Sequence, residues 1–203
     1  MQRPRHIGWA KSGWALICAG LVAQAAEGFR FFACSFSIPE RGEVTGYVLV
    51  VGANRFSFIP PAGWQLKYDA RQTALSLTPP DYAASISVRI LPPEPTSAAG
   101  SLAESLQPKL LQRFPGARIV SVEPCYVSGL EGVAFDLERP TGQGERLAIR
   151  LCCVPFAGGL AEFCLSTTAG NLKESGLALN VLMTSFGIQA AGSGQEPPPS
   201  ASK

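Results

Sequence analysis

Three consecutive segments in the C-terminal half of the chain alternate strictly between apolar and polar side chains. They cover 133–138, 146–153 and 162–166, and each connection between them contains two glycines. A period of two residues is typical of strands with one buried face, and short turns join neighbouring strands that run antiparallel. The pattern therefore predicts an antiparallel meander, and it constrains the fold more than any other feature.

Apolar positions in the meander must share one face, and this fixes the expected register of its first hairpin. The expected cross-strand pairs are Phe135–Leu151, Leu137–Ile149 and Asp136–Arg150. Asp136 and Glu138 then share the polar face, where two carboxylates could serve acid/base chemistry as in glycosidases. Because Arg146 and Arg150 lie on the facing strand, we interpret these carboxylates as partners in exposed ion pairs.

Five cysteines lie beyond residue 25, namely Cys34, Cys125, Cys152, Cys153 and Cys164. A three-residue loop at 157–159 would keep the apolar residues of the second hairpin on one face and set Cys152 directly opposite Cys164. Opposed strand residues have Cα separations that a disulfide can close. The sequence therefore predicts that any disulfide in the mature chain joins Cys152 to Cys164, with Cys153 a buried thiol.

Other interpretations of the cysteines stay open. A two-residue turn at 158–159 would set Cys153 opposite Cys164, but it mixes apolar and polar residues on each face. A zinc site built from Cys125, Cys152, Cys153 and Cys164 would require two adjacent strand residues, which point to opposite faces, to reach one metal. Free buried thiols are the remaining alternative.

The rest of the chain divides into short strands and two helices. Strand patterns cover 47–51, 55–59, 65–69, 74–78, 85–90 and 119–127. The first helix begins at Ser101, which forms a capping box with Glu104. Pro108 lies inside this helix and is expected to kink or split it. Asn171 is the expected N-cap of a second helix over 172–186.

The N-terminal 25 residues have the organisation of an export signal. Arg3, Arg5 and Lys11 accompany an apolar or small run at 13–23, and Ala23-Gln24-Ala25 has the small residues that signal peptidase requires. The run is shorter than the roughly 20 residues that span a bilayer. We therefore expect cleavage, with an uncleaved N-terminal membrane anchor as the alternative.

Loss of the signal changes the chemistry that the mature chain can perform. The full chain has 17 basic and 15 acidic residues, and three basic but no acidic residues lie before residue 26, so the mature net charge is −1. Such a chain has no basic excess that would make nucleic acid its partner. The only histidine is His6, so the mature chain lacks the histidine of Ser-His-Asp, Cys-His and histidine–metal sites.

Two short motifs carry a resemblance to a known family. Residues 56–64, Phe-Ser-Phe-Ile-Pro-Pro-Ala-Gly-Trp, resemble the opening of PsbP-like domains, where a strand runs into a Pro-x-Gly-Trp turn. Residues 183–188, Met-Thr-Ser-Phe-Gly-Ile, are similar to the end of their final helix. In the turn itself, Pro61 directs the chain and Gly63 permits a tight bend, so Trp64 is expected to cover one end of the core rather than to bind a ligand.

The resemblance covers roughly 44–189. It implies an α+β fold in which an antiparallel sheet of about six or seven strands is flanked by helices. It also implies a relationship to the photosystem extrinsic subunit and the Ran-binding Mog protein, which are binding and assembly proteins, and to exported bacterial proteins without an assigned activity. The matching motifs are structural, so no catalytic, cofactor or metal residues carry over.

These observations predict a single domain over 46–190, a signal peptide at 1–25, a linker or loose N-terminal strand at 26–45 and a disordered tail at 191–203. The expected function is that of an exported, non-enzymatic binding or assembly module of the periplasm or cell envelope. Its expected partner is an envelope protein or protein complex, and no cofactor is expected. A carrier of a small apolar ligand, held between sheet and helix, is the alternative, and an enzyme that uses carboxylates alone is the third hypothesis.

Export gives the first testable prediction. Intact-mass spectrometry of the envelope fraction should find a chain that begins at Ala26, because cleavage is expected after Ala25. The substitution Ala25→Phe should block cleavage, since the peptidase pocket accepts small side chains. A wild-type chain that still carries Met1 in that fraction would show that the segment is an anchor.

Overall fold

Eleven strands and two helices make up the part of the chain that the computed structural model describes, residues 29–39, 42–69, 74–93, 101–141 and 144–189. The first six strands are β1 (Phe29–Ile38), β2 (Gly42–Val51), β3 (Asn54–Phe58), β4 (Gln65–Asp69), β5 (Ala74–Thr78) and β6 (Ala84–Leu91). Next come helix α1 (Leu102–Arg113) and the strands β7 (Arg118–Val127), β8 (Leu130–Pro140), β9 (Arg146–Phe156) and β10 (Gly159–Thr168). A short 3-10 turn at Ala169–Asn171 leads into α2 (Leu172–Ser185) and β11 (Gly187–Gln189).

The strands form two antiparallel sheets, which confirms the predicted α+β fold class. The larger sheet has seven strands in the order β4-β5-β6-β10-β9-β8-β7, and the smaller has four in the order β1-β2-β3-β11. The sequence predicted one sheet. The smaller sheet was not foreseen, because its two outer strands were assigned to a linker or loose strand and to the end of the last helix.

Strand β1 is paired with β2 along its whole length, from Phe29 opposite Val51 to Ile38 opposite Gly42. Of the two alternatives given for 26–45, a linker or a loose N-terminal strand, these residues form a strand. The strand was hard to recognise because both of its faces carry apolar side chains. Phe29 belongs to the main core, whereas Cys34 and Phe36 form a separate cluster on the other face, so no alternation marks the strand in the sequence.

The predicted meander is confirmed, since β8, β9 and β10 are consecutive antiparallel neighbours. The register predicted for its first hairpin is also confirmed. The observed pairs are Phe135–Leu151, Leu137–Ile149 and Asp136–Arg150. Alternation fixed this register because Phe135, Leu137, Ile149 and Leu151 all pack into one cluster on one face of the sheet.

The two central strands of the larger sheet are buried on both faces, whereas the sequence predicted strands with one buried face. One face of β9 and β10 packs with α1, around Leu106 and Leu110. The other face packs with α2 and the smaller sheet in the main core. Phe163 points to the main core and Cys164 to the α1 side, and both are buried. The fold therefore consists of layers on either side of the larger sheet.

The capping box of α1 is present as predicted. The amide of Glu104 donates a hydrogen bond to Ser101 Oγ (3.3 Å), and the amide of Ser101 donates to the Glu104 carboxylate (3.0 Å). Pro108 does not split the helix, which runs from Leu102 to Arg113. Pro108 is exposed, and the buried residues Leu106 and Leu110 hold the turns on either side of it against the sheet.

Helix α2 has the apolar face that the sequence predicted. Leu179, Leu182 and Met183 are buried along it, and Phe186 is buried directly after its last turn. Asn171 occupies the N-cap position, but its side chain makes no capping hydrogen bond. The 3-10 turn before the helix gives Asn171 a ψ of 1°, whereas a capping side chain needs the extended backbone of an ordinary N-cap.

Phe186 joins the two sheets. Its ring meets the ring of Phe163 on β10 edge-to-face, with centroids 4.9 Å apart, and stacks on Phe58 of β3 at 5.8 Å. The ring of Phe56 is tilted against it, with centroids 5.9 Å apart. The residue after α2 is therefore the point at which the helix, the larger sheet and the smaller sheet meet.

The predicted signal at 1–25 and the predicted tail at 191–203 lie outside the described residues and stay predictions. Within the ranges that the structure describes, neither helix combines the length and the apolar character needed to cross a bilayer.

Two glycines provide a matched test of the packing. A Cβ on Gly132 of β8 would collide with the carbonyl oxygen of Cys153 and would lie 2.9 Å from Val154 Cα. Gly132→Ala should therefore lower the free energy of unfolding by about 1–3 kcal/mol. Gly176 of α2 has open space around it, so Gly176→Ala should raise that free energy by roughly 0.5–1 kcal/mol through helix propensity. Urea titration of both variants measures these changes in the free energy of unfolding. A Gly132→Ala variant as stable as the wild type would contradict the close approach of β8 and β9.

Candidate binding groove

A groove of about 920 Å³ lies between α2 and the smaller sheet. Its helical side is one face of α2, formed by Leu177, Asn180, Val181, Thr184 and Ser185, whose spacing of three and four residues puts them in one stripe. Leu177 and Val181 are 63% and 50% exposed. Exposed apolar side chains beside a concavity of this size are typical of a ligand or partner site.

The strand side of the groove is the apolar sheet face that points away from the main core. Phe36 of β1 and Val48 of β2 contribute to it. The ring of Phe36 lies over Gly46, where a Cβ would collide with the ring and would approach the Phe58 carbonyl oxygen to 2.8 Å. Gly46 thus allows a large aromatic ring to lie across β2 and to form part of this surface.

One end of the groove carries a charged side chain. Arg55 of β3 is half-buried there, and it is the only charged side chain among the described residues that line the groove. Gln189 of β11 is directly opposite Arg55, and Ser57, two residues further along β3, is opposite Gly187. No described carboxylate forms an ion pair with Arg55.

At the other end of the groove, the hydroxyl of Ser185 connects α2 to the chain after β3. The amide of Ile59 donates to Ser185 Oγ (3.1 Å), and the same Oγ lies 3.0 Å from the Ile59 carbonyl oxygen and 2.9 Å from that of Leu182. The last turn of α2 is thereby attached to the chain just after β3. The two sides of the groove are fixed relative to each other by these contacts and by Phe186.

The Pro-x-Gly-Trp turn lies outside the groove. The Trp64 amide donates to the Pro61 carbonyl oxygen at 3.1 Å, and Gly63 has a φ of +79°, which glycine adopts without strain. Trp64 is half-buried and packs against the main core. In the structure these three residues form a turn that closes the core, and none of them is among the residues that line the groove.

The predicted Cys152–Cys164 disulfide is wrong. The β9–β10 turn has two residues, Ala157 and Gly158, so Cys152 is opposite Phe163 and Cys164 is opposite Leu151. Cys152 therefore packs in the main core, whereas Cys164 lies on the α1 side of the sheet. Alternation could not fix this register, because both faces of these two strands are buried and both accept apolar residues.

The cysteines divide between the two faces of the sheet. Cys125 and Cys152 lie in the main core, and Cys153 and Cys164 lie on the α1 side. A zinc ion with all four as ligands would have to reach through the sheet. In the described ranges no three histidine, cysteine or acidic side chains come together in a way that could hold a metal ion, and the five cysteines there are all buried.

The two candidate acid/base carboxylates form the ion pairs that the sequence predicted. Asp136 lies 3.0 Å from Nε of Arg150, and Glu138 lies 2.7 Å from Nη2 of Arg118 and 3.4 Å from Nη1 of Arg146. The hydrogen bond from Arg118 lowers the pKa of Glu138. A carboxylate held ionised in this way, as Glu138 is, is a poor proton donor.

Sequence reasoning missed a buried glutamate. Glu162 of β10 lies under α1, where Arg113 Nη1 donates to both of its carboxylate oxygens at 2.7 and 2.8 Å and Arg89 lies 3.8 Å away. It was assigned to an exposed polar face, although it shares its face with Leu160 and Cys164. The ion pair between Arg113 and Glu162 attaches α1 to the sheet. Neither residue lines the groove.

Comparisons with known proteins identify the fold. No family model and no curated protein matches the chain. The solution structure of cyanobacterial PsbP (CyanoP) from Synechocystis sp. PCC 6803 is similar over 85% of this chain and 98% of that chain, with 14% identity and a TM-score of 0.50. The chain therefore has the PsbP-like fold that the resemblance implied.

Two further structures were found at lower similarity. The Saccharomyces cerevisiae Ran-binding protein Mog1p matches 64% of this chain and 88% of its own, with 11% identity and a TM-score of 0.46. A Bacteroides thetaiotaomicron structure matches 70% of this chain with 14% identity and a TM-score of 0.43. The chain spans about half, 47%, of the length of that protein.

The separation of the cysteines predicts different reactivities. A hydrogen bond from Cys152 lowers the pKa of Cys125, whereas burial raises the pKa values of Cys153 and Cys164. Since the thiolate is the reactive form, iodoacetamide should modify Cys125 of the reduced native protein before Cys152, Cys153 or Cys164, as peptide mapping can establish.

Substitutions on the two faces test the cause of this reactivity. Cys152→Ala removes the donor, so the pKa of Cys125 should rise and its modification below that pKa should slow. Cys164→Ala lies on the opposite face and is the control, which should leave the rate at Cys125 unchanged. Equal slowing by both substitutions, or faster modification of Cys164 than of Cys125, would contradict the assignment.

Proposed function

We propose that this protein is an exported, non-enzymatic binding module of the cell envelope, and that the groove between α2 and the smaller sheet is its binding site. The observation that carries the proposal is the groove itself, a concavity of about 920 Å³ with exposed Leu177 and Val181 along one side. Exposed apolar surface beside a pocket is unfavourable unless a ligand or partner covers it.

The chemistry of the described side chains supports binding rather than catalysis. The groove is lined mainly by apolar residues, with serine, threonine and amide side chains and one arginine as its polar groups. The carboxylates that could act as acids or bases, Asp136, Glu138 and Glu162, are engaged by arginines elsewhere in the fold. A binding module needs only shape and a few polar contacts, and the groove provides both.

The proposed partner is an envelope protein or protein complex. The N-terminal signal pattern supports a location in the periplasm or cell envelope, and the mature net charge of −1 gives no support for nucleic acid as a partner. The name of Mog1p as a Ran-binding protein is consistent with a protein partner for this fold.

A second candidate function is the carriage of a small apolar ligand. The groove favours it, because its volume lies within the range of small-molecule pockets, roughly 300–1,000 Å³, and because it lies between a sheet and a helix, where a carrier would hold its ligand.

Two exposed helix residues give a matched test of the site. Val181 lines the groove and Leu111 lies on α1, with 50% and 44% exposure. Val181→Lys should reduce retention of the envelope partner on immobilised mature protein by about tenfold or more, because it places a charge in an apolar contact. Leu111→Lys should retain the partner at the wild-type level.

Photo-crosslinking identifies the contact directly. A crosslinking residue at Thr184, which is exposed and lines the groove, should attach to the same protein that Val181→Lys releases, or to a bound small molecule seen by native mass spectrometry. Equal retention of partner and ligand by wild type and Val181→Lys, with no crosslink from Thr184, would show that the groove is not the binding site.

A further inference from the structure

The environment of Arg55 specifies the charge of the ligand. Arg55 is a half-buried residue at one end of the groove and has no ion-pair partner among the described residues, whereas Arg113 and Arg150 each contact a carboxylate. A guanidinium beside an apolar concavity attracts an opposite charge and can bind it through two parallel hydrogen bonds. The groove therefore has a place for one anionic group.

The neighbours of Arg55 suit an anion with several oxygens. Gln189 is directly opposite Arg55 on β11, and Ser57 is two residues further along β3 on the same face. An amide and a hydroxyl can both donate hydrogen bonds. Together with the fork of the guanidinium, they match a carboxylate or a phosphate better than a single-atom anion.

Beyond Ser57 the strand side of the groove is apolar. Ile59 is four residues from Arg55, a distance of about 13 Å along extended backbone. Val48 is opposite Ser57, Phe36 lies further along the same face, and α2 contributes Val181. One end of the groove thus favours a negative charge, and the strand side beyond it favours an alkyl chain.

A peptide fits these surroundings less well. Each residue of a peptide brings a backbone donor and an acceptor that need partners when buried. Away from Arg55, Ser185 is already engaged with Ile59 and Leu182, and Ser128 accepts from the Ile188 amide. Asn180 and Thr184 on α2 are the remaining polar side chains of this part of the groove, and two side chains cannot satisfy every backbone group of a buried peptide. An alkyl chain requires no such partners.

We infer that the groove binds a single-chain amphiphile with one anionic head group, with the anion on Arg55 and the alkyl chain along Val48 toward Phe36. The inference rests on the groove being the binding site, and it specifies the ligand of the second candidate function. A free fatty acid and a phosphate-bearing lipid share this chemistry, so the test includes one probe for each.

Isothermal titration of the mature protein with decanoate, decyl phosphate and decanol tests the inference. A paired, partly buried charge should make one or both anions bind roughly tenfold to a hundredfold more tightly than decanol. Preference for decanoate would identify a carboxylate ligand, and preference for decyl phosphate a phosphate-bearing one. Equal affinity for all three, or binding of none, would overturn the inference.

Two arginines on the smaller sheet provide the matched variants. Arg55→Gln should bind decanol as the wild type does and should lose the preference for anions. Arg30 is exposed on β1 and does not line the groove, so Arg30→Gln should keep that preference. Circular dichroism and thermal unfolding check that both variants are folded. A preference that survives Arg55→Gln would overturn the inference.

The outcomes separate this inference from the proposed function. If no amphiphile binds but Val181→Lys still releases an envelope partner, the groove remains the binding site and only the assigned ligand is wrong. If Val181→Lys changes neither partner retention nor amphiphile binding, the proposed function fails as well.

Discussion

The packing of Phe186 between the two sheets is the contact on which the rest of the structure depends. Its ring touches Phe163 of the larger sheet and Phe56 and Phe58 of the smaller one, and it follows directly after α2. Together with the hydrogen bonds between Ser185 and Ile59, this ring fixes the helix relative to β3 and so sets the shape of the groove. Large-to-small changes at such a site typically destabilise a protein by about 3–5 kcal/mol, so folding and binding rely on the same residue.

Burial on both faces explains where sequence reasoning succeeded and where it failed. The β8–β9 register could be predicted, because Asp136 and Arg150 mark a face that is partly exposed. The β9–β10 register could not, because Cys152 and Cys164 lie in apolar surroundings on opposite faces and the alternation carries no information about which face is inside. The disulfide assigned from that register was wrong for this reason.

Local signals therefore predicted most of the individual elements, including the capping box at Ser101, the hairpin strands β4 and β5 and the apolar face of α2. Contacts between residues distant in sequence were beyond reach. Nothing near Gly187–Gln189 indicates that β11 pairs with β3, which lies far earlier in the chain. The groove is made by these contacts, so Arg55 looked like an ordinary strand residue until the fold brought Gln189 and α2 beside it.

The position of a bound ligand tests the central claim most directly. A crystal structure of the mature protein with decanoate brominated at its terminal carbon would locate both ends of the chain, since bromine gives an anomalous signal. The account predicts carboxylate oxygens within hydrogen-bond distance of the Arg55 guanidinium and bromine among Phe36, Ile59 and Val181. Bromine next to Arg55 with the carboxylate in solvent, or ligand bound only outside the groove, would contradict it.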